Sequence, residues 1–341
     1  MITSYLSRKR WFLWFLALRL LFNFYRGSSH RKTFQETVNF PDGVLDHYEP
    51  RGTVVGTLVF IHGMSELGRE DPRVVHLAEA IASVGYRVLV PDFPSIRSLE
   101  VRPGQVSEVL ARLELLSKNE ALVPEKFSLM SVSFSTVFAL QAACHPRLAR
   151  RISGLCLIGG YFDVRTMLSF ITQSNRSDPY ANLILLWNYY RQFKPNNAEY
   201  QVVLGRCLSE SISQDSPWDA ERSLDQSDPI ESQVYRMLTE PEQRNLFLER
   251  TKRVFEKDWK EFNPNIDFPH GDMPVFLIHG RNDRIIPSGE SKRAARHLAK
   301  SNNPVFLCVT RFLDHGNSSL RLSQYSEVFQ LIHGFAWFFR F

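Results

Sequence analysis

Short apolar runs alternate with amphipathic segments along most of the chain. The runs have the length and composition of buried strands, and the segments between them place apolar residues three and four positions apart, as helices do. Strands and helices alternating in this way predict a mostly parallel central sheet with helices on both faces. The predicted core strands are residues 54–61, 86–90, 127–130, 152–158, 274–278 and 305–309.

The alternation stops between about residues 162 and 272, where the pattern is helical and broken by several prolines. An insertion between two core strands is expected to lie above the strand ends as a helical cap. Such a segment must also bury apolar side chains of its own. We therefore predict one α/β domain over residues 33–341, with a helical cap insertion at about 162–272.

The amino-terminal segment, residues 1–32, has a different character. Its stretch 11–25 is apolar except at Arg19 and Asn23, so it predicts an apolar helix. The stretch is shorter than the ~20 residues that cross a bilayer. A short single span and a helix lying in the membrane interface are both open, and either would make the protein membrane-associated. A third interpretation is a helix that covers an apolar patch on the protein's own body.

Charge is concentrated in the same segment. The net charge is +5, but residues 1–32 hold seven basic and no acidic residues, which leaves 34 basic and 36 acidic residues elsewhere. The body therefore gives no reason to expect a nucleic-acid partner. The four cysteines are far apart and show no metal-binding spacing, which favours a reducing compartment such as the cytoplasm and predicts no metal site.

The chemistry centres on Ser133. The pattern of residues 126–136 predicts an apolar strand, a tight turn and the start of a helix, with Ser133 at the apex of the turn. Ser131 and Ser135 stand where the G-x-S-x-G turn of a nucleophilic serine has glycines, which matter because the backbone is crowded there. Both are alternative nucleophiles, but the register of the turn favours the middle serine.

Further motifs follow other predicted strands. His62-Gly63-Met64 follows the first, residues 279–287 (HGRNDRIIP) follow a later one, and Asp314-His315-Gly316 follows the last. With the serine turn and these three motifs, the chain resembles the α/β-hydrolase superfamily. The resemblance covers the chain from roughly Gly56 to the end, with the cap excluded. The order of serine, aspartate and histidine is the order that this fold uses.

The resemblance implies a role for each position. Ser133 would be the nucleophile, Asp283 the acid and His315 the base, and the amides of Met64 and Phe134 would form the oxyanion hole. Asp314 could orient His315 instead, although a sequence neighbour rarely reaches the imidazole well. His62 and His279 each precede a glycine at a strand end, and we interpret them as structural.

These features predict a membrane-associated serine hydrolase that cleaves a carboxylic ester through an acyl-enzyme. A small-molecule or lipid ester is the expected substrate, the membrane surface is a partner through residues 1–32, and no cofactor or metal is implied. An acyltransferase or thioesterase on the same triad is an alternative. A catalytically inactive binding protein with this fold is another.

Overall fold

The fold is described by a computed structural model that covers residues 2–26, 33–40, 43–174, 176–193, 198–213, 218–247, 249, 259–264, 268, 271–312 and 325–341. Within these residues, eight strands form one sheet in the order β1-β2-β4-β3-β5-β6-β7-β8. β2 runs antiparallel to both of its neighbours, and β3 to β8 pair in parallel, so the prediction of a mostly parallel sheet is confirmed. The strands are β1 Thr33–Phe40, β2 Gly43–Pro50, β3 Gly56–Ile61, β4 Tyr86–Pro91, β5 Phe127–Val132, β6 Ile152–Ile158, β7 Val275–Gly280 and β8 Val305–Thr310.

Helices cover both faces of the sheet because its core strands present apolar side chains alternately to each side. Leu129 of β5 packs into the core beneath helices Gln105–Ser117, Thr136–Cys144 and Gly289–Lys300. The next residue, Met130, packs into the core beneath helices Ile2–Arg26, Pro72–Ala82 and Tyr325–Phe338. The helices are α1 Ile2–Arg26, α2 Pro72–Ala82, α3 Pro94–Arg97, α4 Gln105–Ser117, α5 Thr136–Cys144, α6 Val164–Gln173, α7 Pro179–Phe193, α8 Ala198–Ser213, α9 Ala220–Ser223, α10 Pro229–Thr239, α11 241–247, α12 Gly289–Lys300 and α13 Tyr325–Phe338.

The predicted insertion is present as α6 to α11, between β6 and β7. It has a core of its own, built from α7, α8 and α10. It is also joined to the body by Asn188 of α7, whose side chain donates to the Leu99 carbonyl at 2.8 Å and accepts from the Val101 amide at 2.7 Å. These bonds hold Leu99 at a φ of 59°, a value that an isolated leucine avoids. The insertion therefore has a core of its own and packs on the body, and its place above the strand ends as a cap stays a prediction.

Helix α1 packs on the body through one face. Leu13, Leu16, Ala17 and Leu20 are buried against α13 and α2, so α1 contributes to the hydrophobic core. The interpretation of a helix covering the protein's own apolar surface is correct for this face. In the described part of the chain, no helix combines the length and the apolar character needed to cross a membrane.

Candidate active site

Ser133 lies at the carboxyl end of β5, where the chain turns into α5. Its φ is 55°, in the left-handed region that residues with a side chain rarely adopt. Such a conformation costs about 1–3 kcal/mol and persists only where the surroundings enforce it. Ser133 is half-buried, whereas Ser131 and Ser135 expose no surface. Of the three serines, Ser133 is thus both the strained one and the one that solvent reaches.

One hydrogen bond and the close approach of two glycines hold this turn. The hydroxyl of Thr136, the first residue of α5, donates to the Ser133 carbonyl at 2.9 Å. Gly160, just after β6, lies so close that a Cβ built on it would be 2.3 Å from Thr136 Oγ1 and 2.7 Å from Thr136 Cβ. On the other side, a Cβ on Gly63 would lie 3.2 Å from Val132 Cγ2 and 3.9 Å from Ser133 Cβ. The loops after β3 and β6 therefore enclose the turn.

The contact at Gly160 leads to a prediction. Gly160→Ala should displace Thr136 and the turn it supports, because the Cβ of Thr136 cannot rotate away. We expect loss of most of the reactivity of Ser133 and a lower melting temperature, measured by active-site labelling and thermal unfolding. Gly52→Ala is the matched control, because no atom lies within 4 Å of a Cβ built there. Equal behaviour of the two variants would show that the close approach has no effect on the turn.

The backbone of Ser135, one of the two serines that replace the usual glycines, is in an ordinary helical conformation. Ser135 has a φ of −68°, so this position does not need glycine for its conformation. The hydroxyls of Ser131 and Ser135 are buried, and neither has a hydrogen-bond partner among the described residues. A buried hydroxyl without a partner costs about 1–3 kcal/mol. The two hydroxyls are therefore not what holds the turn together.

Ser135→Gly should accordingly be tolerated. The lost desolvation penalty offsets the backbone entropy cost of glycine, which is about 0.5–1 kcal/mol. We expect the rate of active-site labelling and the melting temperature to stay close to those of the parent protein. A large loss of labelling with the fold intact would mean that the Ser135 hydroxyl has a role of its own.

Phe134, the residue after Ser133, anchors the turn through its ring. The ring is buried and lies 5.9 Å from Tyr161, 6.1 Å from Trp259 and 5.5 Å from Phe262, measured between ring centroids. Segment 259–262 is tied to the body, because the Tyr161 hydroxyl donates to the Phe262 carbonyl at 2.6 Å. The main-chain amide of Phe134, the predicted oxyanion donor, is therefore carried by a residue whose side chain is fixed.

The loop after β3 holds the second predicted donor, Met64. Its carbonyl accepts a hydrogen bond of 3.1 Å from the Tyr180 hydroxyl of α7. His62 in the same loop is fully buried, with Nδ1 2.9 Å from the Gly63 carbonyl and Nε2 accepting from the Phe93 amide at 3.2 Å. Burial lowers the pKa of His62, so its neutral form is favoured. These bonds give His62 the structural role that its position suggested.

Asp283, the predicted acid, lies in the loop after β7 and is buried. Its Oδ1 accepts from the amides of Ile285 and Ile286, at 2.8 and 2.9 Å. Its Oδ2 is 3.5 Å from Nε2 of His279, beyond a good hydrogen bond. His279 itself bonds elsewhere: Nδ1 is 2.6 Å from the Ser291 hydroxyl and Nε2 is 2.8 Å from the Ile286 carbonyl. His279 thus braces this loop, as interpreted from the sequence.

The other predicted residues of the last loop, His315 and Asp314, lie outside the described residues. The described part brings the loops of Ser133 and Met64 side by side, and it locates Asp283 two strands away at the same edge of the sheet.

Burial raises the pKa of the Cys144 thiol to about 11 and those of Cys207 and Cys308 to about 12. None of these three thiols supplies a thiolate near neutral pH.

Sequence reasoning missed the residues that support the site. Thr136 and Gly160 carried a weak signal, because one follows the serine turn directly and the other belongs to a glycine pair at the end of a strand. Tyr180 and Trp259 carried none. Both lie in or beside the insertion, where helical periodicity does not tell which side chains face the body.

Comparison with known proteins gives the fold a name. No protein-family model matches the chain, and no curated protein is similar to it in sequence. Solved structures are similar over most of it. A Legionella pneumophila protein provisionally named a hydrolase is 15% identical, with a TM-score of 0.53 over 90% of this chain and 87% of that one. DphMB1 is 14% identical, with a TM-score of 0.53 over 90% and 85% of the two chains.

A third similar structure is that of Candida antarctica lipase A in its closed state. It is 14% identical, with a TM-score of 0.50 over 89% of this chain and 77% of the lipase. At such identities structural similarity establishes a fold and leaves the chemistry to be argued from the site. With its strand order, its helical insertion and these neighbours, the chain has the α/β-hydrolase fold.

Proposed function

We propose that the protein is a serine hydrolase that cleaves a carboxylic ester through an acyl-enzyme. The observation that carries the proposal is the conformation of Ser133: a half-exposed serine held at a positive φ between a core strand and a helix. Strain of this kind is kept where it serves a function, and this fold uses it to present a nucleophile. The lipase among the structural neighbours agrees with an ester substrate.

In the proposed reaction, Ser133 Oγ attacks the ester carbonyl while His315 takes its proton. The same proton then passes to the departing alcohol, and water, activated by His315, releases the acid and restores Ser133. The amides of Met64 and Phe134 would stabilise the oxyanion, at about 3 kcal/mol per donor in comparable sites. The buried ring of Phe134 and the bond from Tyr180 to Met64 support this role, because an oxyanion hole works best when its donors are fixed beforehand.

Asp283 is assigned the role of orienting His315. Two backbone amides hold its Oδ1, and hydrogen bonds of this kind favour the charged carboxylate. A carboxylate fixed in this way can hold an imidazole in one tautomer and stabilise the imidazolium that forms. The loop position after a core strand matches the place that this fold gives to its acid.

The proposal includes the place of action, which is a membrane surface reached through residues 1–32. The positive charge of the chain is concentrated there, next to a run of aromatic and leucine residues. That combination is typical of segments that bind anionic lipid. A lipid ester held in the bilayer would be the substrate that profits most from such binding.

A fluorophosphonate probe tests the proposal, because it modifies only an activated serine. We expect one labelled site, at Ser133, and turnover of at least one ester in a panel of acyl chain lengths. Added alcohol and thiol acceptors separate a hydrolase from an acyltransferase, and thioester substrates reveal a thioesterase. Absence of both labelling and turnover in folded protein would favour a binding protein that has kept the fold.

A further inference from the structure

Helix α1 has a second apolar face that the body does not cover. Its side chains recur at helical spacing on the side opposite Leu16 and Leu20. Trp11 is 75% exposed, Phe15 58% and Phe22 52%. We define the outer face of α1 by its exposed apolar residues, which are Trp11, Phe12, Phe15, Leu18, Phe22 and Tyr25.

Within the described part of the chain, exposed aromatic side chains are confined to two segments. Among the described residues, each one lies either in α1 or in the carboxyl-terminal segment 325–341. The two groups adjoin, because the exposed Phe329 of α13 has its ring 5.0 Å from that of Trp14. Adjoining exposed apolar side chains on a folded protein mark a surface that binds a partner or a membrane.

Basic side chains border the outer face. Arg26 is exposed, and its guanidinium lies 4.9 Å above the ring of Phe22. Arg19 is half-buried and lies three residues before Phe22 on the same flank of the helix. Asn23 faces the body instead, where its amide donates to the Ser83 hydroxyl at 2.6 Å. Asn23 therefore belongs to the inner face of the helix, and the basic residues Arg19 and Arg26 flank the outer face.

We infer that the outer face of α1 docks on an anionic lipid surface, with the helix lying in the plane of the interface. The inference rests on the proposed action at a membrane and names the surface that would carry it out. The aromatic rings fit the boundary between headgroups and acyl chains, and the flanking arginines fit the lipid phosphates. The charge of the segment indicates which partner the outer face binds. Residues 1–32 hold seven basic and no acidic residues, which favours an anionic surface and disfavours a second copy of the same segment.

The inner face fixes how the test must be made. Deleting residues 1–32 is not a suitable test, because it would uncover core residues that pack on Leu13, Leu16 and Leu20. Point substitutions on the outer face avoid this problem, since they replace exposed side chains. Phe15→Glu and Phe22→Glu are suitable substitutions. Val202→Glu is the matched control, because Val202 is also an exposed apolar residue, at 71%, but belongs to α8 and not to α1.

Binding of the full chain is measured by sedimentation with vesicles of phosphatidylcholine alone or mixed with phosphatidylglycerol. We expect binding to the mixed vesicles that weakens at high salt, and at least about a tenfold loss in Phe15→Glu and in Phe22→Glu. Arg26→Gln should lose about fivefold and show a weaker salt dependence. Val202→Glu should bind as the parent does.

Three results would overturn the inference: parent protein that does not sediment with mixed vesicles, equal binding to both vesicle types, or equal losses in Val202→Glu and Phe15→Glu. A dimer that dissociates in Phe15→Glu, without vesicle binding, would make the face a contact between copies. Labelling by the soluble fluorophosphonate is measured in the same variants and should not change. Vesicle binding without labelling would reject the proposed hydrolase and keep the docking face, and labelling without binding would do the reverse.

Discussion

Ser133→Ala should abolish labelling by the fluorophosphonate and reduce ester turnover by roughly 10⁴ to 10⁶-fold, the range for removing the nucleophile of a serine hydrolase. The reason is that the two buried serines beside it have no access to a substrate. Labelling followed by peptide mapping, with a thermal melt of the same sample, makes the measurement. The melting temperature should not fall, because alanine removes one half-exposed hydroxyl and fills no new space.

Ser131→Ala and Ser135→Ala are the controls. Each removes a hydroxyl that is buried without a partner among the described residues, so neither should lower the labelling rate much. If labelling persists in Ser133→Ala and disappears in one of these two variants, the register of the turn that we derive is incorrect. Such a result would leave the fold intact and move the nucleophile.

Asp283→Asn should reduce turnover by about 10³ to 10⁴-fold, because an amide in place of the carboxylate would favour the wrong tautomer of His315, the histidine that we propose Asp283 orients. The substitution keeps an oxygen that can accept from the amides of Ile285 and Ile286, so the loop should stay folded. Turnover, labelling rate and melting temperature are measured together. Loss of activity with an unchanged melting temperature is the expected result.

Asp314→Asn is the comparison that decides which carboxylate acts. Asp314 adjoins the proposed base in sequence, whereas Asp283 is 32 residues away from it in the chain. A larger loss in Asp314→Asn than in Asp283→Asn would transfer the orienting role to Asp314.

His279→Gln tests a different point, because His279 braces the loop of Asp283 through Ser291 and the Ile286 carbonyl. It should lower stability more than it changes the labelling of folded protein.

The sequence by itself determined the sheet and the position of the serine turn. Short apolar runs such as residues 152–158, which alternate with amphipathic helical segments, favour strands buried in the middle of a sheet. The observed strand, Ile152–Ile158, has the predicted bounds. The sequence also predicts that motifs which follow successive parallel strands lie at one edge of the sheet, because parallel strands bring their carboxyl ends to the same edge.

Only the tertiary structure determined which face of each helix is buried and which distant residues support the serine turn. Helix α1 is apolar almost all round, so no pattern in it tells which side α13 and α2 cover and which side stays open. The supports of the serine turn are likewise non-local: Gly160 is 27 residues from Ser133 in the chain, and Tyr180 and Trp259 reach the site from the insertion. Local preferences specify strands, turns and helices, but only packing between distant segments selects the face that each one buries.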